Sequence, residues 1–209
     1  MAQPAVDWVL LDFGGVVAEE GFREGLRYLA AHHGRDPERV VAEATEAVYA
    51  SGYVTGTGSE AEFWRLLGER SGLWLPPLEG ERAILARFRV RPWMLELVGR
   101  LRRAGLGVGL LTDQTDWLER LDRRDGFLAA FDRVYNSYRL GRGKRDPGLF
   151  DAVATDLGIA PDRILFVDDA PGNLERARSR GWRVLAYRSR EEARKALEAL
   201  LADPGARSE

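Results

Sequence analysis

The sequence predicts an α/β protein: a parallel β-sheet with helices on both faces and a small all-helical segment inserted near its start. Two observations carry this prediction. From residue 93 onward, short apolar runs typical of strands buried on both faces alternate with helical patterns. Before that, residues 19–89 show helical patterning only. The 209 residues are 45% hydrophobic and 31% charged, which indicates a globular rather than a disordered chain.

Five apolar runs are the predicted strands. They cover residues 6–11, 107–111, 132–135, 163–167 and 182–187. The first run ends at Asp12 and is followed by Gly14 and Gly15, which predicts a tight turn directly after the strand.

Four helices are predicted among the later strands, over residues 93–104, 147–157, 173–180 and 191–201. In the second of these, Asp146 suits the N-cap and Pro147 the first helical position. Gly105, Gly158 and Gly181 suit the ends of the first three. Because strand and helix alternate, the strands are expected to run parallel with right-handed crossovers.

The segment between the first two strands is too long for a simple crossover, which needs about a dozen residues. Helical patterns cover residues 22–33, 37–50, 60–70 and 81–88. The segment starts just after Asp12, at the carboxyl end of the first strand, where open α/β sheets bind ligands. We therefore expect residues 1–18 and 90–209 to form a core domain, and residues 19–89 to form a cap over a site at that edge.

Composition excludes several classes of protein. Lys and Arg total 31 against 33 for Asp and Glu, a net charge of −2, so no basic field favours nucleic acid. The absence of cysteine excludes disulfides, iron–sulfur clusters and a thiol nucleophile. No apolar run approaches the ~18 residues of a membrane span, and the N-terminus lacks the layout of a signal peptide. We expect a cytoplasmic monomer or homodimer that binds neither nucleic acid nor membrane.

Four segments carry residues suited to chemistry, and all are predicted to lie on one rim of the sheet. Asp12 ends the first strand, and Thr112 with Asp113 follows the second. Lys144, one of only two lysines in the sequence, lies in a glycine-flanked loop, and Asp168-Asp169 ends the fourth strand. Two adjacent carboxylates repel each other unless donors or a cation lie between them, and a hard divalent cation is the simplest such partner.

Each of these segments, taken alone, also suits a structural role. An aspartate at a strand end closes turns, a Thr-Asp pair caps helices, a loop lysine is often solvated, and an Asp-Asp pair can serve as a double N-cap. Their common order and common rim are what favour a functional site.

In this order and at this spacing, the motifs resemble the haloacid dehalogenase (HAD) superfamily, which is dominated by phosphatases that work through an aspartyl-phosphate. The resemblance covers nearly the whole chain. It is closest to the branch with a short helical cap of the first type, which includes sugar-phosphate phosphatases and the N-terminal domain of soluble epoxide hydrolases. It implies a Rossmann-like core and a Mg²⁺-dependent phosphatase acting on a small phosphorylated metabolite, for instance a sugar phosphate.

The resemblance also implies roles for individual residues. Asp12 matches the nucleophile, and Thr112 and Lys144 match the residues that hold the phosphoryl group, together with the backbone at Asp113 and Gly15. Mg²⁺ would be bound by Asp12, by the backbone carbonyl of Gly14 and by Asp169, with Asp168 acting through a metal-bound water.

One position departs from the pattern, because Gly14 stands where these phosphatases carry an aspartate that protonates the leaving alcohol and activates water. Three interpretations stay open. Asp113, Glu19 or Glu20 could replace the acid, or the substrate could have a good leaving group. The protein could instead be a metal-independent 2-haloacid dehalogenase, which needs no acid, although the Asp168-Asp169 pair argues against it. It could also be a slow or inactive phosphate-binding sensor.

Overall fold

A computed structural model describes residues 5–76 and 78–202. A five-stranded parallel sheet with the strand order β3-β2-β1-β4-β5 forms its centre, which confirms the predicted fold class. The strands are β1 (Trp8–Leu11), β2 (Gly107–Thr112), β3 (Arg133–Asn136), β4 (Ile164–Asp168) and β5 (Arg183–Ala186). All five lie at the predicted places, with small shifts at their ends.

The described helices are α1 (Gly21–His32), α2 (Pro37–Ala50), α3 (Glu60–Ser71), α4 (Glu79–Leu85), α5 (Pro92–Arg103), α6 (Trp117–Asp125), α7 (Ser137–Leu140), α8 (Gly148–Leu157), α9 (Pro171–Ser179) and α10 (Arg190–Ala202). Helices α6 and α7 are not among those predicted from the sequence. The predicted start of α8 is wrong by one residue: Pro147 occupies the N-cap, and Asp146 Oδ1 accepts a hydrogen bond of 2.8 Å from the Gly148 amide. The Asp146 side chain closes the turn before the helix rather than capping the helix.

Alternating residues of the strands pack into two separate cores, one on each face of the sheet. Val9 and Leu11 of β1 pack with α5 and α6, whereas Leu10 packs with α8 and α9. Both faces of the central strand are therefore buried, which explains its nearly continuous apolar sequence.

The order of the strands sets the place of the site. The chain proceeds outward from β1 to β2 and β3, then returns to the other side of β1 to form β4. Ligands of open α/β sheets bind at such a switch point, outside the carboxyl ends of the strands. Here Leu11 is in register with Val167, so Asp12 and Asp168 leave the sheet side by side.

Helices α1–α4 belong to the segment inserted between β1 and β2, and the two ends of this segment lie side by side. Ala18 and Val90 form an antiparallel bridge, and the Glu19 amide donates to the Arg89 carbonyl over 2.9 Å. Helix α1 packs against α2 and α4, and α2 packs against α3. The chain thus leaves the sheet rim and returns to it through adjacent backbone segments. In the part of the chain that the structure describes, no helix has the length and apolar character needed to cross a membrane.

Candidate active site

A buried lysine joins two of the predicted carboxylates. The Nζ of Lys144 lies 3.0 Å from Oδ1 of Asp12 and 2.7 Å from Oδ2 of Asp168. The side chain of Lys144 is only 2% exposed and that of Asp168 is fully buried. An ammonium at this depth is stable only with such charged partners, which gives Lys144 one defined position.

The three carboxylates of Asp12, Asp168 and Asp169 converge. One oxygen from each lies within 4.8 Å of the others. Asp168 is the most fully paired of the three, since it also accepts hydrogen bonds from the Ala170 amide at 2.7 Å and from the Asn173 side chain at 3.0 Å. Two described groups donate to Asp12, namely the Nζ of Lys144 and the backbone amide of Phe13. Both contact its Oδ1.

The electrostatics of this cluster are those of a site that attracts a cation. Burial raises the pKa of Asp12 to about 7, against the lowering effect of Lys144. Burial, and then the neighbouring Asp168, also raise the pKa of Asp169. Burial alone would lower the pKa of Lys144, but Asp12 and Asp168 outweigh it and raise the pKa. One ammonium therefore faces three carboxylates, and a hard divalent cation would supply the missing positive charge.

The loop that carries Lys144 is fixed on both sides of that residue. The backbone amide of Lys144 donates to both carboxylate oxygens of Asp113, at 2.9 and 3.1 Å. Its carbonyl accepts a hydrogen bond of 2.6 Å from Nε of Arg176, whose Nη2 donates to Asn173 over 2.6 Å. Arg176 is not among the predicted site residues, because an arginine one helical turn beyond Asn173 has the pattern of an ordinary exposed residue.

Thr112 ends β2 with a buried side chain that is 1% exposed. Its hydroxyl has no hydrogen-bond partner among the described residues. A buried hydroxyl without a partner is costly, so a ligand oxygen at this point would satisfy it. Its predicted role in phosphate binding stays a prediction.

The two glycines after Asp12 differ in what they permit. Gly15 has a φ of +82°, and a β-carbon there would lie 2.6 Å from Oδ2 of Asp169, so only glycine fits. Gly14 has no such restriction. A β-carbon there would have ordinary contacts, at 3.4 Å from Phe88 and 3.6 Å from both Gln114 and Glu20.

A cavity of about 290 Å³ lies next to Lys144 and the carboxylates of Asp12 and Asp169. Its floor includes five of the predicted site residues, Asp12, Gly14, Asp113, Lys144 and Asp169. Its other walls include Glu20, Phe22, Val48, Tyr49 and Val54 from the inserted helical segment and Trp117 from α6. The site is thus a pocket with a charged floor. Its walls combine apolar side chains with polar and charged ones, among them Arg23, Arg145 and Arg176.

Contacts between the inserted segment and the sheet rim enclose this pocket. The hydroxyl of Tyr49 donates to Asp113 Oδ2, and that of Tyr53 donates to Asp116 Oδ1. The Ser137 hydroxyl donates to the Val54 carbonyl over 2.7 Å. The contact of Tyr49 with Asp113 joins residues 64 positions apart, so no local pattern of the sequence indicates it.

The chain is therefore an α/β protein with a parallel sheet and, at the switch point of that sheet, a candidate site of three carboxylates and a buried lysine. The family model of the haloacid dehalogenase-like hydrolases matches residues 6–181. The chain belongs to this family and is a hydrolase, as the motifs predicted.

Curated relatives include phosphatases. The chain is 28% identical to enolase-phosphatase E1 of Gluconacetobacter diazotrophicus over 86% of its own length and 82% of that protein. It is 25% identical to hexitol phosphatase A of Escherichia coli over 75% of its length and 70% of that protein. It is 30% identical to rat bifunctional epoxide hydrolase 2, over 56% of the chain and 22% of that protein. It likewise spans only 33% of enolase-phosphatase E1 of Streptomyces avermitilis.

Solved structures share the fold over nearly the whole chain. A predicted HAD-like hydrolase of Porphyromonas gingivalis matches with a TM-score of 0.73 at 24% identity, covering 97% of this chain and all of that one. A HAD family enzyme of Bacteroides thetaiotaomicron in complex with magnesium and inorganic phosphate matches with a TM-score of 0.69 at 22% identity, covering 89% and 96%.

Proposed function

We propose that this protein is a Mg²⁺-dependent phosphatase that hydrolyses a small phosphorylated metabolite through a phosphoryl group carried on Asp12. The observation that carries the proposal is the convergence of three carboxylates within 4.8 Å, with Lys144 buried between two of them. The phosphatases among the relatives support the reaction class.

The carboxylate cluster fits a magnesium ion. Mg²⁺ prefers oxygen ligands, few of them from protein, and keeps several waters. Asp12 and Asp169 would bind it directly together with the backbone carbonyl of Gly14, and Asp168 would act through water, being already paired with Lys144. When bound, the ion neutralises the repulsion between a phosphate dianion and the carboxylates.

The chain's own donors would hold the phosphoryl oxygens. The Nζ of Lys144 carries three hydrogens and lies at the floor of the pocket beside Asp12. The predicted phosphate site is completed by the backbone at Asp113 and Gly15 and by the Thr112 hydroxyl, which has no partner among the described residues. Such fixed positive groups and dipoles are the main resource of enzymes that transfer phosphoryl groups.

In the first step, a carboxylate oxygen of Asp12 forms a bond to phosphorus, and the bond between phosphorus and the leaving oxygen breaks. In the second step, water attacks the phosphorus and frees the Asp12 carboxylate. Because burial raises the pKa of Asp12, Lys144 serves to keep this group ionised.

The inserted helical segment, residues 19–89, would act as the cap that selects the substrate. It lines the cavity with apolar side chains and with the polar groups of Glu20, Arg23, Thr45 and Tyr49. The cavity volume of about 290 Å³ is at the small end of the range for ligand pockets. A metabolite with a few carbon atoms, such as a sugar phosphate, fits this size. A monomer or homodimer in the cytoplasm remains the expected state.

The test is a screen of phosphate monoesters with and without Mg²⁺, with the Asp12→Asn variant as control. We expect phosphate release from at least one ester that requires Mg²⁺ and is lost in Asp12→Asn. Equal release by Asp12→Asn would place the nucleophile elsewhere.

Because Gly14 has no acidic side chain, two alternative functions stay open, and each has its own readout. Halide release from 2-chloropropionate without metal would indicate a dehalogenase. Labelling of Asp12 at one equivalent without further turnover would indicate a phosphate-binding sensor.

A further inference from the structure

We propose that Glu20 is the acid–base residue of this site, giving a proton to the leaving oxygen and taking one from the attacking water. This inference rests on the proposed phosphatase function and names a residue for a task that Gly14 cannot perform. An alkoxide is a poor leaving group, and a positioned proton donor typically contributes about 10²–10⁴-fold to such a step.

The pocket contains few groups that could carry this proton. Among its described lining residues, the carboxyl groups belong to Asp12, Glu20, Asp113 and Asp169. Asp12 forms the bond to phosphorus, and Asp169 faces the proposed metal. Both oxygens of Asp113 already accept hydrogen bonds, from the Lys144 amide and from the Tyr49 hydroxyl. Glu20 remains.

The carboxyl group of Glu20 lies close to the point where a side chain of residue 14 would begin. Its Oε1 is 3.6 Å from the position of a β-carbon on Gly14. Its other oxygen, Oε2, accepts a hydrogen bond of 3.2 Å from the Arg23 amide and caps α1. One oxygen therefore fixes the side chain while the other faces the pocket.

The local path of the backbone explains why Glu20 points inward and its neighbour does not. Ala18 pairs with both Gly14 and Val90, which brings the start of the inserted segment back beside Gly14. Successive residues of an extended segment point in opposite directions. Glu19 accordingly faces outward and pairs with Arg91 at 3.2 Å.

The environment of Glu20 favours a carboxyl group that can hold a proton. Burial raises its pKa, and the nearby Arg23 offsets this only in part. This supports the assignment, which stands on the position of Oε1 and on the elimination of the other carboxyl groups.

The proton balance of the two steps closes on Glu20. As Asp12 bonds to phosphorus and the ester P–O bond breaks, the Glu20 carboxylic acid protonates the departing oxygen, giving the alcohol and the Glu20 carboxylate. That carboxylate then takes a proton from water as the water oxygen bonds to phosphorus. The Asp12–phosphorus linkage breaks, phosphate leaves, and Glu20 is again protonated.

The test compares two leaving groups in a single turnover. One substrate is a primary alkyl phosphate that the phosphate-release screen finds active, and the other is p-nitrophenyl phosphate, whose phenolate departs without a proton. In Glu20→Gln, which keeps an oxygen to cap α1, we expect first-turnover release of the alcohol to fall about 10²-fold or more. Release of nitrophenolate should stay within about threefold. Glu19→Gln, the matched control next in sequence, should leave both rates unchanged.

A second variant distinguishes the loss of a proton donor from a disturbance of the structure. Gly14 accepts a β-carbon at ordinary contact distances, so Gly14→Asp in the Glu20→Gln background should restore alcohol release at least tenfold if a missing proton donor is the defect. Equal losses for both substrates in Glu20→Gln, no loss for either, or no rescue by Gly14→Asp would overturn the assignment of Glu20. A wild-type protein that releases neither leaving group would overturn the proposed function itself.

Discussion

Lys144 and Asp168 form an ion pair of 2.7 Å in which the side chains are 2% and 0% exposed. The same ammonium lies 3.0 Å from Asp12. Asp168 thus holds the lysine, and the lysine holds the carboxylate of Asp12, the proposed nucleophile. Asp168, which the sequence analysis assigned to the metal, therefore also positions Lys144.

Replacing Lys144 by methionine should cost both stability and activity. The substitution keeps the volume but leaves two buried carboxylates without their cation, and breaking a buried pair in this way typically costs about 3–5 kcal/mol. We expect the free energy of unfolding, measured in urea, to fall by about that amount, and phosphate release to be lost.

The other lysine of the chain provides the control. Lys195 is exposed on α10, far in sequence from the site. Lys195→Met should change the free energy of unfolding by no more than about 0.5 kcal/mol and leave activity intact. Similar losses in the two variants would contradict the role of Lys144.

Gly15→Ala should weaken metal binding as well as the fold. A left-handed backbone costs a residue with a β-carbon about 1–2 kcal/mol, and here the new methyl group would also lie 2.6 Å from Asp169 Oδ2. We expect the Mg²⁺ concentration for half-maximal activity to rise on the order of tenfold, as is typical of changes around metal ligands. Gly34→Ala carries the same backbone strain (φ +63°) with nothing within 4 Å and should leave the Mg²⁺ requirement unchanged.

Magnesium should stabilise the folded protein through Asp169. An ion that binds only the native state adds about 2.7 kcal/mol when its concentration is 100 times its Kd. Thermal unfolding should therefore shift upward with Mg²⁺ in the wild type and much less in Asp169→Asn. Asp162→Asn, an exposed residue before the start of β4, serves as the comparison and should respond like the wild type. An equal shift in all three proteins would place the ion elsewhere.

Tyr49→Phe tests the contact between the inserted segment and the floor of the pocket. The change removes the hydrogen bond to Asp113, a carboxylate that also fixes the Lys144 amide. Loss of a hydrogen bond to a charged group should lower the free energy of unfolding by about 1.5–3 kcal/mol and reduce kcat. Tyr28→Phe, at an exposed tyrosine of α1, should do neither. Identical stability and kcat in Tyr49→Phe and the wild type would refute the coupling.

The sequence predicted the parts of this molecule that local patterns determine. Buried parallel strands are continuous apolar runs, and polar residues at their carboxyl ends must meet at one rim. For this reason Asp12, Lys144 and Asp168-Asp169 could be grouped into one site from the amino-acid sequence alone.

What the sequence could not predict depends on contacts between distant residues. No periodic or local pattern in the sequence indicates the hydrogen bond from Tyr49 to Asp113 or the one from Arg176 to the Lys144 carbonyl. The choice between Glu19 and Glu20 depends on which way each side chain points after the Ala18 bridge, and only the folded backbone decides that. The one-residue error at α8 arose because Asp146 suits a turn as well as an N-cap.

The most direct test is to find where the phosphoryl group resides during turnover. After rapid mixing with an active ester and Mg²⁺, acid quenching and peptide mapping by mass spectrometry should show phosphate on the peptide that contains Asp12, at up to one equivalent. Phosphate on a different residue, or turnover with no phosphorylated peptide under conditions that trap an acyl-phosphate, would contradict the account.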